Sequence, residues 1–261
     1  MSILDTIVKH KKQEVELLKR NKRYSDFESS EYFYNKCISL SDRLRSDFGI
    51  IAEMKRKSPS AGVIHGNLDV AAQGKAYEDA GAAGISCLTD QQFFGGSIND
   101  LSELRKHVNI PILRKEFIID ELQLFEAKAA GADVVLLISE ILTKQEALHL
   151  TIIAQSLGLE VIMEFHSRES LRKLNDFVDI VGINNRDLHR QETSVQKSFD
   201  LVNYIPEDRC KISESGIYMA EQIEALKGVD FHGALIGEHI LRSNEPKESI
   251  RELLNQPVYA R

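Results

Sequence analysis

Six places in this chain set polar or charged side chains at the end of a short apolar run. They are Glu53 with Lys55, Lys115, Glu164, Asn184 with Arg186, Glu214 with Ser215, and Gly237-Glu238. Residues i and i+2 of a strand share a face, so Glu53 and Lys55 project together. Ionised groups at the end of a buried strand are costly unless they pair or serve a site. One such pair is explained by an internal salt bridge that closes a barrel layer. Six at one level exceed what packing requires. Lysines and carboxylates buried side by side acquire shifted pKa values, which is what general acid–base chemistry needs. Lys55, Arg114 and Lys115 are expected to lower one another's pKa by mutual repulsion.

Two further signals accompany the charges. Ser215-Gly216 and Gly237-Glu238 close the last two strand candidates. Glycine lets backbone N–H groups approach phosphate oxygens, although a lone glycine also serves any tight turn. Phe93, Phe94 and Phe117 follow the second and third strands. They read as rim packing or as a sandwich for a planar ring. The stretch from Arg56 to Asn67, with Ser58-Pro59-Ser60-Ala61-Gly62 inside it, reads as a loop that closes over a ligand. His65, His166 and His239 read as rim or solvent residues.

The elements that must position these groups alternate. Aliphatic runs end near Glu53, Leu88, Lys115, Ile138, Glu164, Asn184, Glu214 and Gly237. Amphipathic stretches lie between them, including 71–80, 98–107, 121–130, 144–156, 167–174, 198–204, 220–226 and 246–254. Continuous apolar strands alternating with helices mean a parallel sheet buried on both faces. Eight such units predict an α/β chain folded as a (β/α)8 TIM barrel, with its site at the carboxyl ends of the strands. An open doubly wound sheet is the alternative, but no Gly-x-Gly-x-x-Gly follows the first strand. Residues 1–46 lack the rhythm. They predict an N-terminal helical extension, with one helix opened by Ser2 and a second over 32–45, within a single domain spanning 1–261.

The 261 residues are 43% hydrophobic and 28% charged, as in a soluble globular chain. The balance of 33 basic to 40 acidic residues gives a net charge of −7 and argues against nucleic-acid binding. No apolar run is long enough for a membrane span, and the start carries no secretory h-region. Cys37, Cys87 and Cys210 form no metal or redox motif, which suits a reducing cytoplasm. No cofactor is expected. Basic groups gathered at strand ends of an acidic protein point to a small anionic ligand. A monomer or weak homo-oligomer is expected.

The motif Glu53-x-Lys55-Arg56-x-Ser58-Pro59-Ser60-x-Gly62 resembles the signature of the indole-3-glycerol-phosphate synthase family. The resemblance extends to Leu88-Thr89-Asp90…Phe94-x-Gly96-Ser97, Pro111 to Ile118, Gly182-Ile183-Asn184-x-Arg186-Asp187-Leu188 and Ser213 to Ile217. It implies lysine–glutamate acid–base catalysis on an anionic phosphosugar–anthranilate substrate. In that reading Lys115 is the general acid, Glu164 the base, and Lys55 an anchor and possible second acid. Glu53 and Asn184 orient hydroxyls and Lys115, Arg186 and Ser58 meet the anionic groups, and Glu214 and Ser215 complete the floor. Phe94 and Phe117 flank the ring, with Leu136 also against substrate, while Lys55, Gly216, Gly237 and Glu238 meet the phosphate. The chain departs from the family pattern at Arg114 and at Glu238, whose carboxylate is expected to point away from a phosphate. The rivals are a sugar isomerase resembling phosphoribosylanthranilate isomerase, with a cysteine–aspartate pair, and a catalytically silent phosphate-binding barrel.

Overall fold

The computed structural model describes residues 2–59, 61–187, 192–243 and 245–255. Ser60 and Leu188 of the quoted motifs lie outside them. Eight parallel strands close into a barrel: β1 (Gly49–Met54), β2 (Gly84–Leu88), β3 (Ile112–Lys115), β4 (Val134–Ile138), β5 (Glu160–Phe165), β6 (Ile180–Asn184), β7 (Cys210–Glu214) and β8 (Gly233–Ile236). They follow chain order round the barrel, and β8 returns to β1 with Ile51 opposite Leu235. The TIM barrel predicted from the alternation is therefore the fold.

Each strand buries both faces, so its period-2 pattern divides two cores. Ile51, Leu113, Leu136, Ile162, Ile212 and Leu235 fill the barrel interior. Ile50, Ile85, Ile112, Val135, Val161 and Val181 face the helices outside. Following the inward parity up each strand leads from these aliphatics to Glu53, Lys115, Glu164, Asn184 and Glu214. The apolar lower layers thus hold the polar upper layer in place.

The outer helices include α4 (Val70–Asp79), α6 (Ile98–Arg105), α7 (Leu122–Ala130), α8 (Lys144–Ser156), α9 (Gln196–Leu201), α10 (Ala220–Lys227) and α12 (Pro246–Leu253), with short α5 (Gln91–Phe94) and α11 (Glu238–Arg242) at the carboxyl end. Between β5 and β6 the helix expected over 167–174 is replaced by a 3-10 turn, Ser170–Lys173. Ser170 Oγ accepts from the N–H groups of His166 and Ser167, and Ser167 Oγ accepts from Ser170 N. These local bonds divert the backbone from a helical ladder.

The N-terminal segment packs at both ends of the barrel. Its elements are α1 (Ile3–Asn21), α2 (Tyr24–Glu28) and α3 (Leu40–Ser46), so the helix expected over 32–45 is confined to its last turns. Phe33 instead packs with Phe27 and Leu122, and Ser39 caps α3 by accepting from Asp42 N. Leu40 and Leu44 of α3 enter the interior core and stopper the amino-terminal end. Small residues at the strand starts make room for them: a Cβ on Gly233 would lie 2.6 Å from Leu44 Cδ2, and one on Gly84 3.1 Å from Leu40 Cδ1. The first residue of β5 fixes the stopper. The Glu160 carboxylate accepts from Ser39 Oγ (2.6 Å), Leu40 N (2.8 Å), Ser41 N (3.0 Å) and Ser41 Oγ (2.7 Å). A carboxylate at a helix start satisfies orphan N–H groups and the helix dipole together.

Glu160→Ala should cost about 2 kcal/mol, from lost charge-assisted bonds, and Leu44→Ala about 3 kcal/mol, from the cavity it leaves. Urea unfolding would measure both. KM should stay unchanged in each, because the stopper sits at the end of the barrel opposite the polar layer.

Candidate active site

The carboxyl end of the barrel opens into one pocket. Glu53, Lys55, Ser58, Phe94, Lys115, Phe117, Leu136, Glu164, Asn184, Arg186, Ser215 and Glu238 all line it. An adjoining lobe is lined by Lys55, Arg186, Ser215, Gly216, Gly237 and Glu238. Every site residue expected from the sequence borders one or both, except Glu214, which lies buried beneath Lys115.

Lys115 is the centre. Its Nζ donates to Glu214 Oε2 at 2.6 Å and lies 3.6 Å from Glu53 Oε2 and 3.8 Å from Glu164 Oε2. Burial works against its charge, but the carboxylates of Glu214, Glu53 and Glu164 outweigh burial and raise its pKa. The expected mutual lowering by cations is therefore overturned. Arg114 follows the opposite parity and faces the helices. It donates there to Gln123 O (2.7 Å) and Glu126 Oε2 (2.6 Å). Lys55 turns to Glu53 Oε1, 2.5 Å away. Burial pushes the Glu53 carboxyl up, yet Lys55 and Lys115 together hold it below its ordinary value.

Glu214 behaves oppositely. Burial, with Glu164 as a near like charge, lifts it to about 7 despite Lys115. Its Oε1 is buried without a hydrogen-bond partner among the described residues. Gly182 makes space for this carboxylate, since a Cβ there would run into Oε1. The cluster thus holds a lysine that rests in its cationic form and a carboxyl that gains or loses its proton near neutrality, beside Glu164. That is equipment for moving protons.

The apolar wall is made by Phe94, Phe117, Leu136 and Ile138, together with Ile3, Leu4 and Ile7 of α1. The Phe94 and Phe117 rings stand 6.0 Å apart at 34°. A ring between them would need about 3.5 Å on each face, so they form a single wall and leave no slot between them. Phe93 turns away, edge-on to His10. The buried Lys11 ties α1 over the pocket, 2.8 Å from Glu116 and 3.1 Å from Asp90.

The lobe is built from backbone. Ser215 and Gly216 adopt positive φ (72° and 76°), and a Cβ on Gly237 would strike Glu53. Ser215 carries a side chain in the left-handed region, and Asn185 holds it there: Asn185 Nδ2 donates to Ser215 O and Ser213 Oγ, both at 2.9 Å. Glu238 is turned forward along its helix to Arg242, 2.9 Å away.

The sequence reading missed Asn185 because it alternates with Asn184 and points behind the site. It also misplaced His166. His65 and His239 are exposed. His166 is enclosed between Glu140 Oε2 (2.9 Å) and Glu164 Oε1 (3.4 Å), although neither ring nitrogen makes a well-aligned hydrogen bond among the described residues. Cys87 faces the outer core, so it is not available to a cysteine–aspartate isomerase pair in this pocket.

Comparison with known proteins agrees with this arrangement. The family model for indole-3-glycerol phosphate synthase matches residues 4–253. The indole-3-glycerol phosphate synthase of Bacteroides thetaiotaomicron is 41% identical over 253 residues, covering 97% of each chain. That of Petrotoga mobilis is 40% identical over 257 residues, covering 96% of each. Among solved structures, a mutant tryptophan synthase α-subunit of Pyrococcus furiosus superposes with a TM-score of 0.62 at 16% identity, over 80% of this chain and 98% of its own; this similarity speaks for the fold alone. By motif, site and overall similarity, the chain belongs to the indole-3-glycerol phosphate synthase family.

Proposed function

We propose that Lys115 and Glu164 act as general acid and general base in forming indole-3-glycerol phosphate from 1-(2-carboxyphenylamino)-1-deoxyribulose 5-phosphate. The observation that supports this reading is one ammonium held among three carboxylates at the foot of a half-apolar pocket. The substrate has matching parts. Its aromatic ring lies against Phe94, Phe117, Leu136 and the α1 side chains. Its carboxylate meets Lys55, Arg186 and the Ser58 loop, and its phosphate enters the lobe at Gly216 and Gly237. Turned to Arg242, the Glu238 carboxylate leaves its backbone N–H for the phosphate.

The ring carbon that bears the carboxylate attacks C2′, and Lys115 gives its proton to the C2′ oxygen as negative charge develops there. A raised pKa is no obstacle, because an alkoxide is far more basic than an amine and the lysine is charged at every working pH. Carbon dioxide then leaves and aromaticity returns. The C2′ hydroxyl then leaves as water on a proton from Lys55, the second acid at the pocket, while Glu164 takes a proton from the new five-membered ring, which completes the indole. Glu53 and Asn184 orient the ribulose hydroxyls, and Glu214 holds Lys115 in place above Ser215. The hairpin after β1 (Lys57–Ser58 with Gly62–Val63), rooted by Arg56 on Asp100 at 2.6 Å, is the segment that closes over bound substrate.

Lys115→Met and Glu164→Gln should each lower kcat by roughly 10²–10⁴-fold, followed by indole fluorescence on adding substrate. Near-normal turnover in either would remove that residue from its role, and no turnover in the unaltered protein would leave a silent barrel. The Glu214 proton gives an independent check on the cluster. Raised from 4.5 to about 7, this carboxyl stays protonated in the folded chain at pH values where the unfolded chain has released it. Its contribution therefore favours folding below about pH 4.5 and is lost as pH climbs through 7. Thermal melts at pH 5 and pH 8 should show a larger loss of stability in the unaltered protein than in Glu214→Gln. Equal losses would mean that Glu214 ionises normally.

A further inference from the structure

Three carboxylates meet at the polar layer, and Glu53 and Glu214 each have a lysine within hydrogen-bonding distance. Glu164 does not. Lys115 is 3.8 Å from its Oε2 and is committed to Glu214 at 2.6 Å. On its other side, Oε1 faces His166 Nε2 at 3.4 Å. The far nitrogen of the same ring, Nδ1, lies 2.9 Å from Glu140 Oε2. Glu140 follows β4, and its Oε2 also accepts from Ser139 Oγ at 2.6 Å. Ser139 is fixed in turn by Lys173, which donates to its carbonyl at 2.6 Å. The imidazole therefore bridges an inner carboxylate and an outer one, with 9% of its side chain exposed.

We infer that His166, ion-paired to Glu140, is a positioning residue that supplies the counter-charge Glu164 needs to work as a base. The inference rests on the assignment of Glu164 above. Two flanking carboxylates favour the imidazolium over the neutral ring. Burial and the nearby Lys197 of α9 oppose it, and the carboxylates prevail: the His166 pKa is raised and that of Glu140 is lowered by its partner. An imidazolium against Oε1 places a positive charge 3.4 Å from Glu164, on the side away from Lys115 and Glu214. Glu164 is thereby free to accept a proton from substrate. Nothing is transferred to His166; its part is electrostatic.

The pH–rate profile tests this, because a purely structural role for His166 would lower kcat equally at all pH values. In His166→Asn the acidic limb of kcat, where the base becomes protonated, should move up by about one pH unit, with KM changed less than threefold and kcat at pH 8.5 largely retained. Glu140→Gln should move the limb the same way by a smaller amount. It should also lower the His166 pKa read by NMR of the imidazole protons. An unshifted limb in both variants, with a folded protein by circular dichroism, would overturn the inference. Glu164→Gln run alongside separates the two readings. If that variant keeps its turnover, the base has been misassigned. If it is inactive while the His166→Asn profile is unshifted, the base stands and the counter-charge falls.

Discussion

A buried ammonium that must balance several buried carboxylates governs the upper half of this barrel. Removing a carboxylate from water costs several kcal/mol even after relaxation, and only close, well-bonded counter-charges return it. Lys115 cannot meet that demand alone. It bonds Glu214 at 2.6 Å and stands farther from Glu53 and Glu164. Lys55 therefore has to sit against Glu53, and Gly182 has to lack a side chain where Glu214 lies. The remaining imbalance appears as a Glu214 carboxyl lifted to about 7. A core built for stability alone would have used hydrophobic residues here. This energetic tension is what the proposed acid–base roles of the cluster draw on.

That tension is bearable because the opposite end of the barrel is closed by apolar contacts. Leu40 and Leu44 complete an interior core of Ile51, Leu113, Leu136, Ile162, Ile180, Ile212 and Leu235. The N-terminal segment thus has two jobs at two ends. Its α3 seals the floor with aliphatic volume and a carboxylate-capped helix start, and its α1 brings Ile3, Leu4 and Ile7 to the mouth. Stability is concentrated below and function above, as the division of the TIM barrel between its two faces leads one to expect.

The alternation of aliphatic runs and amphipathic stretches made the barrel legible, and the polar groups at the run ends made most of the site legible. What the sequence hid follows from parity and from folding in three dimensions. Arg114 stands between Leu113 and Lys115, so the period of two sends it outward, and adjacency to Lys115 was misleading. The same rule places His166 on the face of Glu164, just as it places Lys55 with Glu53. His166 was therefore readable, but Glu140, its second partner, comes from the turn after another strand and was not. Asn185 could not be read at all, because its work is to hold the Ser215 carbonyl from behind. The aromatic sandwich failed for a different reason: the 6.0 Å between Phe94 and Phe117 is set by the loops that carry them, which leave no periodic trace.

The outward positions beside the site have their own consequence. Glu116 follows Lys115 and points to the opposite side of β3, where it accepts from Thr89 Oγ1 at 2.8 Å and pairs with the buried Lys11. Burial alone would lift the Glu116 carboxyl, yet Lys11 and Arg114 hold it below its ordinary value. Lys115, the last residue of β3, and Glu116 just beyond it thus face two ion clusters, one inside the barrel and one beneath α1. A rotation or slide of β3 that served one cluster would break the other. The strand that presents the proposed acid is consequently fixed from both sides. The helix that walls the pocket is fixed to that same strand, so the ammonium and the apolar surface a substrate must span are held at a set separation before any ligand arrives.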